Sequence, residues 1–301
     1  MRNRVPAVVL AVALVAGLTL LAAPAAASGS SGGSGKVTRL AATLSGANEV
    51  PGPGDPDGRG RAFVRLAGGK ACYALEWSGI SAPTAAHIHE GRADVAGPVA
   101  VLFFQPGTNA ASLPDTLSSV AGCVPVDPAL ARRIAAKPRD WYVNIHTADF
   151  APGAIRGQLH RSRHLDLDLP RQLAAGLNGA NEVPGPGDPD GRGLGLVRTG
   201  RERVCFALGW TGIAPPIFAH IHVGAAGVAG PVVVLFFDVP ELTGAPTATL
   251  PATVAAAGGC VDGQDPALLR NIRRDPAAYY VNIHTLEFVP GAIRGQLRRV
   301  A

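Results

Sequence analysis

The sequence predicts an all-β protein made of two tandem antiparallel β-domains, and three observations lead to this prediction. Glycine and proline number 38 and 26 among 301 residues, which favours turns over long helices. Apolar and polar residues alternate in short segments bounded by those turn residues, as in half-buried strands. The third observation is a duplication, because GANEVPGPGDPDGRG at 46–60 recurs unchanged at 179–193. The offset is too long for a solenoid repeat, so each copy is expected to be a globular domain.

The N-terminus is expected to direct export. Residues 1–27 are predicted to be a secretory signal peptide, because two arginines precede an apolar stretch at 5–23 and alanines at 25–27 offer a cleavage site. An uncleaved membrane anchor is the alternative, since about nineteen apolar residues can just span a bilayer. Residues 28–35 (SGSSGGSG) are expected to be a flexible linker. The mature protein is therefore expected to be secreted or in the cell envelope, without a membrane span.

The duplication also sets the domain boundaries. Domain 1 is expected over residues 36–160 and domain 2 over residues 171–301, with a short charged linker at 161–170. The formal net charge of +5 is too small for the basic surface that nucleic-acid binding requires. No nucleic-acid partner is therefore expected.

Domain 1 is predicted to contain eight short strands and one short helix. Asp127 suits the N-cap of the helix, Pro128 its first position, and Pro138 its end. The same design recurs from Asp265 to Pro276 in domain 2. Such a pattern is typical of an antiparallel β-sandwich or a Greek-key barrel. The predicted strands lie near 37–44, 60–67, 71–77, 85–90, 98–104, 114–121, 140–147 and 153–160.

Each domain has two cysteines, and we expect them to form one disulfide per domain. An even number of cysteines within each domain of an exported protein favours pairing inside that domain. A redox or zinc motif is not indicated, because no C-x-x-C is present. The expected pairs are Cys72 with Cys123 and Cys205 with Cys260.

Histidines are the candidate metal ligands. His87 and His89 lie two apart on one predicted strand, so both imidazoles point to the same side, and His146 on a later strand could be the third ligand. Three imidazoles suit zinc or copper. The alternative is a hydrogen-bonded histidine cluster that only fixes strand register. The pattern recurs in domain 2 as His220, His222 and His284.

A polar cluster is expected on the same face. Period two places Asn144 beside His146, and Glu49 is the one carboxylate in an apolar, turn-rich segment. We expect Glu49 to be buried and paired, with Arg156 as the candidate partner. The corresponding residues in domain 2 are Glu182, Asn282 and Arg294.

Catalysis finds little support in the sequence. Asp55 and Asp57 resemble the start of a calcium loop, but the acidic residue expected at the twelfth position is Leu66, so a proline- and glycine-fixed turn is favoured. No G-x-S-x-G motif is present, and the cysteines are expected to be oxidised. The sequence therefore predicts a protein that is not an enzyme, with no catalytic residues.

Four motifs in each copy resemble the CHRD family, the domain named after chordin. The resemblance covers nearly all of the expected mature chain and implies an extracellular, immunoglobulin-like β-sandwich with no established catalytic role. The matching segments are Ser45–Pro51, Ala71–Ile80, Ala86–Val99 and Tyr142–Leu159, and in domain 2 Asn178–Pro184, Val204–Ile213, Ala219–Val232 and Tyr280–Leu297.

The function that these observations predict is extracellular binding without catalysis. Two linked domains raise avidity for a multivalent partner, which favours a binding or envelope-interaction module with an unidentified ligand. The alternative is a metalloprotein that uses its histidines to hold copper or zinc.

Overall fold

The computed structural model describes residues 37–163, 172–241 and 248–300. The expected signal peptide at 1–27, the linker at 28–35 and most of the interdomain linker lie outside the described residues. Both copies are antiparallel β-sandwiches with one short α-helix each, which confirms the predicted fold class.

Within its described residues, domain 1 folds from short strands connected by turns and one helix. The strands are β1 (Thr38–Ser45), β2 (Arg59–Ala67), β3 (Lys70–Ser78), β4 (Pro83–Glu90), β5 (Val99–Phe104), β6 (Leu117–Pro125), β7 (Trp141–Thr147), β8 (Ile155–Gln158) and β9 (His160–Arg161), with α1 at Pro128–Ala136.

Domain 2 repeats this order of elements. Its described strands are β10 (Leu173–Asn178), β11 (Arg192–Thr199), β12 (Val204–Thr211), β13 (Pro216–Val223), β14 (Val232–Asp238), β15 (Val254–Val261), β16 (Tyr279–Thr285), β17 (Ile293–Gln296) and β18 (Arg298–Arg299), with α2 at Pro266–Arg274.

The helix forms where its capping residues predict it. The Asp127 carboxylate accepts a hydrogen bond from the backbone N–H of Leu130 at 2.8 Å, which satisfies one of the free donors of the first turn. Ile134 is completely buried and fixes the helix against the sandwich. In domain 2, Asp265 caps α2 in the same way.

Two predicted strand boundaries are wrong. The strand predicted near 114–121 forms at Leu117–Pro125, because Cys123 pairs in register with Cys72 and so extends the strand past the cysteine. The segment predicted as one strand at 153–160 forms two short strands. The pairing changes there, since β8 pairs with β7 and, at Arg156, with the end of β1, whereas β9 pairs with the middle of β1.

The strands of domain 1 build two sheets with the core between them. One sheet has the order β6-β3-β2-β1 and the other β5-β4-β7-β8. Alternate residues point inward from both sheets. The completely buried ones include Leu44, Leu75, Ile88 and Val143. The opposite face of β4 and β7 points away from this core, and the histidines lie on that face.

The two sandwiches join along one edge. Strand β6 pairs antiparallel with β15, and the pairing is centred on Val120 opposite Ala257, which occupy equivalent positions in the two domains. A side chain at Gly122 or Gly259 would collide with the backbone carbonyl of Thr253 or Thr116 in the other domain, so both positions need glycine. The sequence predicted two domains but not this continuous sheet.

Both expected disulfides are present. Cys72 is bonded to Cys123 and links β3 to β6, and Cys205 is bonded to Cys260 and links β12 to β15. Each disulfide therefore ties the strand at the domain junction to the interior of its own sheet. Among the described residues, no helix has the length and apolar character needed to cross a membrane.

Candidate functional site

The histidines of each domain converge on the outward face of the second sheet. Strand β4 pairs with β7, so His87 and His89 on β4 lie next to His146 on β7, while Ala86 and Ile88 point into the core. One ring nitrogen from each of the three lies within 4.8 Å of the other two. The structure brings together His220, His222 and His284 in the same way.

Some of these nitrogens are already close to the spacing that a shared ion requires. In domain 1, His87 Nδ1 is 3.2 Å from His146 Nε2, and in domain 2, His220 Nδ1 is 3.0 Å from His222 Nε2. Imidazole nitrogens that bind one zinc ion at about 2.0–2.1 Å are about 3.3–3.6 Å apart. The remaining nitrogen of each cluster lies within 4.8 Å of the other two, so a shift of at most about 1.5 Å brings all three to one ion.

Backbone carbonyls fix the orientation of two rings in domain 1. The Nδ1–H groups of His89 and His146 donate to the carbonyl oxygens of Gly97 and Ala151, each at 2.8 Å. In a neutral imidazole the other nitrogen, Nε2, then carries a lone pair. His89 Nε2 is buried and has no hydrogen-bond partner among the described atoms.

Domain 2 repeats this arrangement with its own carbonyls. His222 Nδ1–H donates to Gly230 and His284 Nδ1–H donates to Val289, each at 2.8 Å. Here His284 Nε2 is the buried nitrogen without a partner in the described part of the chain. Hydrogen bonds of this kind hold histidine ligands in metal sites, because they set both the tautomer and the ring direction.

Burial keeps the imidazoles neutral near pH 7. Burial, together with the smaller effect of the neighbouring histidines, lowers the pKa of His87 to about 4 and that of His220 to about 3. Burial also lowers the pKa of His284 to about 4, against the hydrogen bond to Val289. The neutral form is the one that can bind a metal ion.

A stacked arginine and tyrosine support the cluster from one side. In domain 1 the guanidinium of Arg156 lies 3.4 Å from the centre of the Tyr142 ring, and that ring stacks on His89 with centroids 4.8 Å apart. Arg294, Tyr280 and His222 form the same stack in domain 2. The two tyrosines were not among the predicted site residues, although they lie two residues before Asn144 and Asn282, so period two places them on the histidine face.

The predicted polar cluster is buried but is organised differently from the expectation. Glu49 is 6% exposed and Arg156 is 1% exposed, yet the described residues contain no ion pair within 4.0 Å between them. Instead, Arg156 donates hydrogen bonds to the carbonyl oxygens of Arg92 and Val95. Burial raises the pKa of Glu49 to about 7, and the positive charge of Arg156 opposes this rise.

Asparagine joins the carboxyl group to the histidine strands. Asn282 Nδ2 donates to Glu182 Oε2 at 3.0 Å, and Asn282 pairs with His220 across β13 and β16. In domain 1, Asn144 takes the equivalent position opposite His87. The Oδ1 atoms of both asparagines are buried and have no hydrogen-bond partner among the described atoms.

A side chain in contact with the histidine rings differs between the two sites. Phe218 lies on the histidine face of β13, with its ring centre 5.0 Å from that of His220 and 4.4 Å from that of His284. Ala85 is the equivalent residue on β4, since Ala85 pairs with His146 as Phe218 pairs with His284. The sequence could have suggested Phe218, which stands two residues before His220.

The fold and the site define a tandem pair of β-sandwich domains, each with one outward-facing polar cluster. The family profile of the CHRD domain matches residues 40–159 and 173–297, and the chain belongs to the CHRD family. The family is a class of non-enzymatic binding domains, so the comparison agrees with a binding module in general terms. A comparison with curated protein sequences finds no significant match.

Proposed function

We propose that this chain is an exported, non-enzymatic protein that binds a component of the cell envelope with its two histidine-bearing faces. The observation that carries the proposal is the surface beside the histidines. Val99 and Leu102 on β5 lie opposite His89 and His87, and they are 53% and 41% exposed. Exposed apolar side chains next to a polar cluster are typical of an interaction surface.

Domain 2 offers the same kind of surface. Val232 and Leu235 on β14 lie opposite His222 and His220, and both are nearly half exposed. Among the described strands, β5 hydrogen-bonds only to β4 and β14 only to β13, so each leaves backbone groups free for a ligand. Two such surfaces on one chain would raise avidity for a repetitive ligand.

Export is supported by the cysteines and by the N-terminal sequence. All four cysteines are in disulfides, which persist in oxidising compartments. If the full chain is expressed in a bacterial host, we expect a product outside the cytoplasm that lacks residues 1–27 and has no free thiol. Recovery of the uncleaved chain from the cytoplasm would contradict export.

Binding is tested with the full chain and isolated bacterial cell envelopes as the probe. Replacing Leu102 and Leu235 together by serine should lower the retained fraction about fivefold or more, because both apolar surfaces become polar. Val37→Ser is the matched control, since Val37 is exposed but lies before β1. Equal retention of all three proteins, or no retention of the wild type, would refute the proposal.

A copper- or zinc-binding metalloprotein is the second candidate function, and the convergence of three imidazoles in each domain favours it. Neutral imidazole suits both metals, and no thiolate competes because the cysteines are oxidised. Elemental analysis of the metal-free chain after titration should find two ions per chain. No stoichiometric uptake at neutral pH would refute this candidate and leave envelope binding untouched.

A further inference from the structure

We infer that the two histidine clusters are unequal metal sites. The cluster of domain 1 leaves a coordination position open to a small external ligand and releases its ion quickly, whereas Phe218 shields the cluster of domain 2. This inference rests on the copper or zinc binding proposed above as the second candidate.

The ligand atoms follow from the hydrogen bonds. In domain 1, His89 and His146 use Nδ1–H to donate to backbone carbonyls, so each presents Nε2 to the ion. His87 presents Nδ1, which already lies 3.2 Å from His146 Nε2. The corresponding atoms in domain 2 are His220 Nδ1, His222 Nε2 and His284 Nε2.

Binding through Nδ1 requires His87, and likewise His220 in domain 2, to carry its proton on Nε2. In the metal-free cluster the proton of His87 can lie on Nδ1, between His87 and His146. On binding, solvent exchange moves that proton to Nε2, so the ring stays neutral and no net proton is released. The buried Oδ1 of Asn144, opposite His87 on β7, is an available acceptor for the Nε2–H group. Asn282 offers the same acceptor to His220.

Each cluster supplies three protein ligands and no fourth. Within the described residues, the groups of potential ligands contain only the three histidines of each domain. Zinc with three imidazoles keeps a fourth position, which is open to water or to a small anion. The accessibility of that position depends on the side chains around the cluster.

Those surrounding side chains differ between the domains. The Phe218 ring stacks on His220 and contacts His284 at a tilt, and these two histidines are 8% and 5% exposed. Their counterparts His87 and His146 are both half-buried, because Ala85 has no ring to cover them. The remaining histidine of each cluster differs in the opposite direction, because His89 in domain 1 is buried and His222 in domain 2 is half-buried.

The residues at the rim of the cluster are also larger in domain 2 than in domain 1. Leu286 and Val289 lie in the segment after β16 that supplies the carbonyl for His284, and they are about half exposed. Domain 1 has Ala148 and Ala151 at the equivalent positions after β7. The cluster of domain 2 therefore has a bulkier apolar border, which hinders the approach of water, anions and competing chelators.

The test uses the full chain loaded with two equivalents of Cu²⁺. His222→Gln should leave only the domain 1 site, and His89→Gln only the domain 2 site. His160→Gln is the matched control, because His160 is exposed and lies outside both clusters. Transfer of Cu²⁺ to a chromogenic chelator should be at least about tenfold faster from the domain 1 site. Added azide should change the visible spectrum of the domain 1 site only.

Reciprocal substitutions then assign the difference to one side chain. Phe218→Ala should raise the release rate of the domain 2 site to that of domain 1 and make it respond to azide. Ala85→Phe should slow release from the domain 1 site. Phe218→Leu serves as a second variant in case Phe218→Ala does not fold, because it also removes the aromatic ring. Circular dichroism checks that each protein is folded.

The outcomes separate the inference from the candidate function. Two bound ions with equal release rates, unchanged by Phe218→Ala, would overturn the inference and leave metal binding in place. Absence of stoichiometric uptake would overturn both. Faster release from domain 1, reversed by the reciprocal substitutions, supports the inference.

Discussion

The two histidine clusters have the same donors in different surroundings. Each has three imidazoles, two carbonyl acceptors and a stacked tyrosine and arginine in equivalent positions. The side chain that covers the rings is Phe218 in one cluster and Ala85 in the other. The comparison teaches that the sheet fixes which atoms converge, whereas neighbouring side chains determine how far solvent reaches them.

The sheets that carry these clusters show a similar contrast. The disulfides and the backbone pairing of β6 with β15 are symmetric, because each pair of residues there has an equivalent pair related by exchange of the two domains. One buried carboxyl group has no counterpart, since Glu76 on β3 is 7% exposed and Gly209 takes its place on β12. Symmetric features should therefore give equal effects on mutation, and asymmetric ones should affect a single domain.

The largest effect is expected from the disulfides. The linked cysteines are 51 and 55 residues apart, and closing loops of this length stabilises by roughly 4 kcal/mol in the loop-entropy treatment. Replacing both cysteines of one domain by alanine should cost about the same in either domain, as measured by denaturant unfolding. A loss of unfolding free energy in only one of the two variants would show that the two domains do not depend equally on their disulfides. The two variants are Cys72→Ala with Cys123→Ala, and Cys205→Ala with Cys260→Ala.

The junction between the domains should give the next largest effect, because a mutation there both destabilises the chain and divides its unfolding into two steps. Gly122→Ala or Gly259→Ala places a methyl group against a carbonyl of the other domain, and such overpacking costs about 1–3 kcal/mol. We expect denaturant unfolding to separate into two transitions in both variants. Gly176→Ala is the control, because an added methyl group there meets no atom within 4 Å. One sharp transition at the wild-type midpoint would contradict a tight junction.

The sequence predicts which face of a strand is polar and which cysteines pair, but it does not predict which strands lie side by side. Alternation of apolar and polar residues identifies the face of β4 that bears His87 and His89, and cysteine parity identifies both disulfides. Which strands lie side by side depends on the long-range pairing of β4 with β7, and no local pattern encodes it. The β6–β15 junction was missed for the same reason, although Gly122 and Gly259 stand at equivalent positions in both copies.

The asymmetric carboxylate should make stability depend on pH through domain 1. Burial raises the pKa of Glu76 from 4.5 to about 7, and Arg61 opposes this rise. Between those two values the folded protein holds a proton that the unfolded chain has lost, so the free energy of unfolding falls as pH rises.

Glu76→Gln removes that loss. Relative to the wild type, the variant should gain roughly 2–3 kcal/mol in unfolding free energy between pH 4 and pH 8. Glu49 and Glu182, whose pKa values are also raised by burial, are present in both proteins and cancel in the comparison. Parallel pH profiles of the two proteins would show that the Glu76 carboxyl keeps its ordinary pKa after folding.

The smallest effect is expected from the residue that distinguishes the two sites. Phe218 is half-buried on an outward face, so Phe218→Ala should lower the unfolding free energy of the metal-free chain by only about 1 kcal/mol. Ala85→Phe should change it by less than about 1 kcal/mol, because the new ring can lie over His87 and His146 without entering the core. Denaturant unfolding without metal measures both.

A loss of more than about 3 kcal/mol for Phe218→Ala would place this side chain among the residues that hold the sandwich together. Its absence from domain 1 would then reflect different packing of the two sheets, and not a difference in solvent access to the histidines.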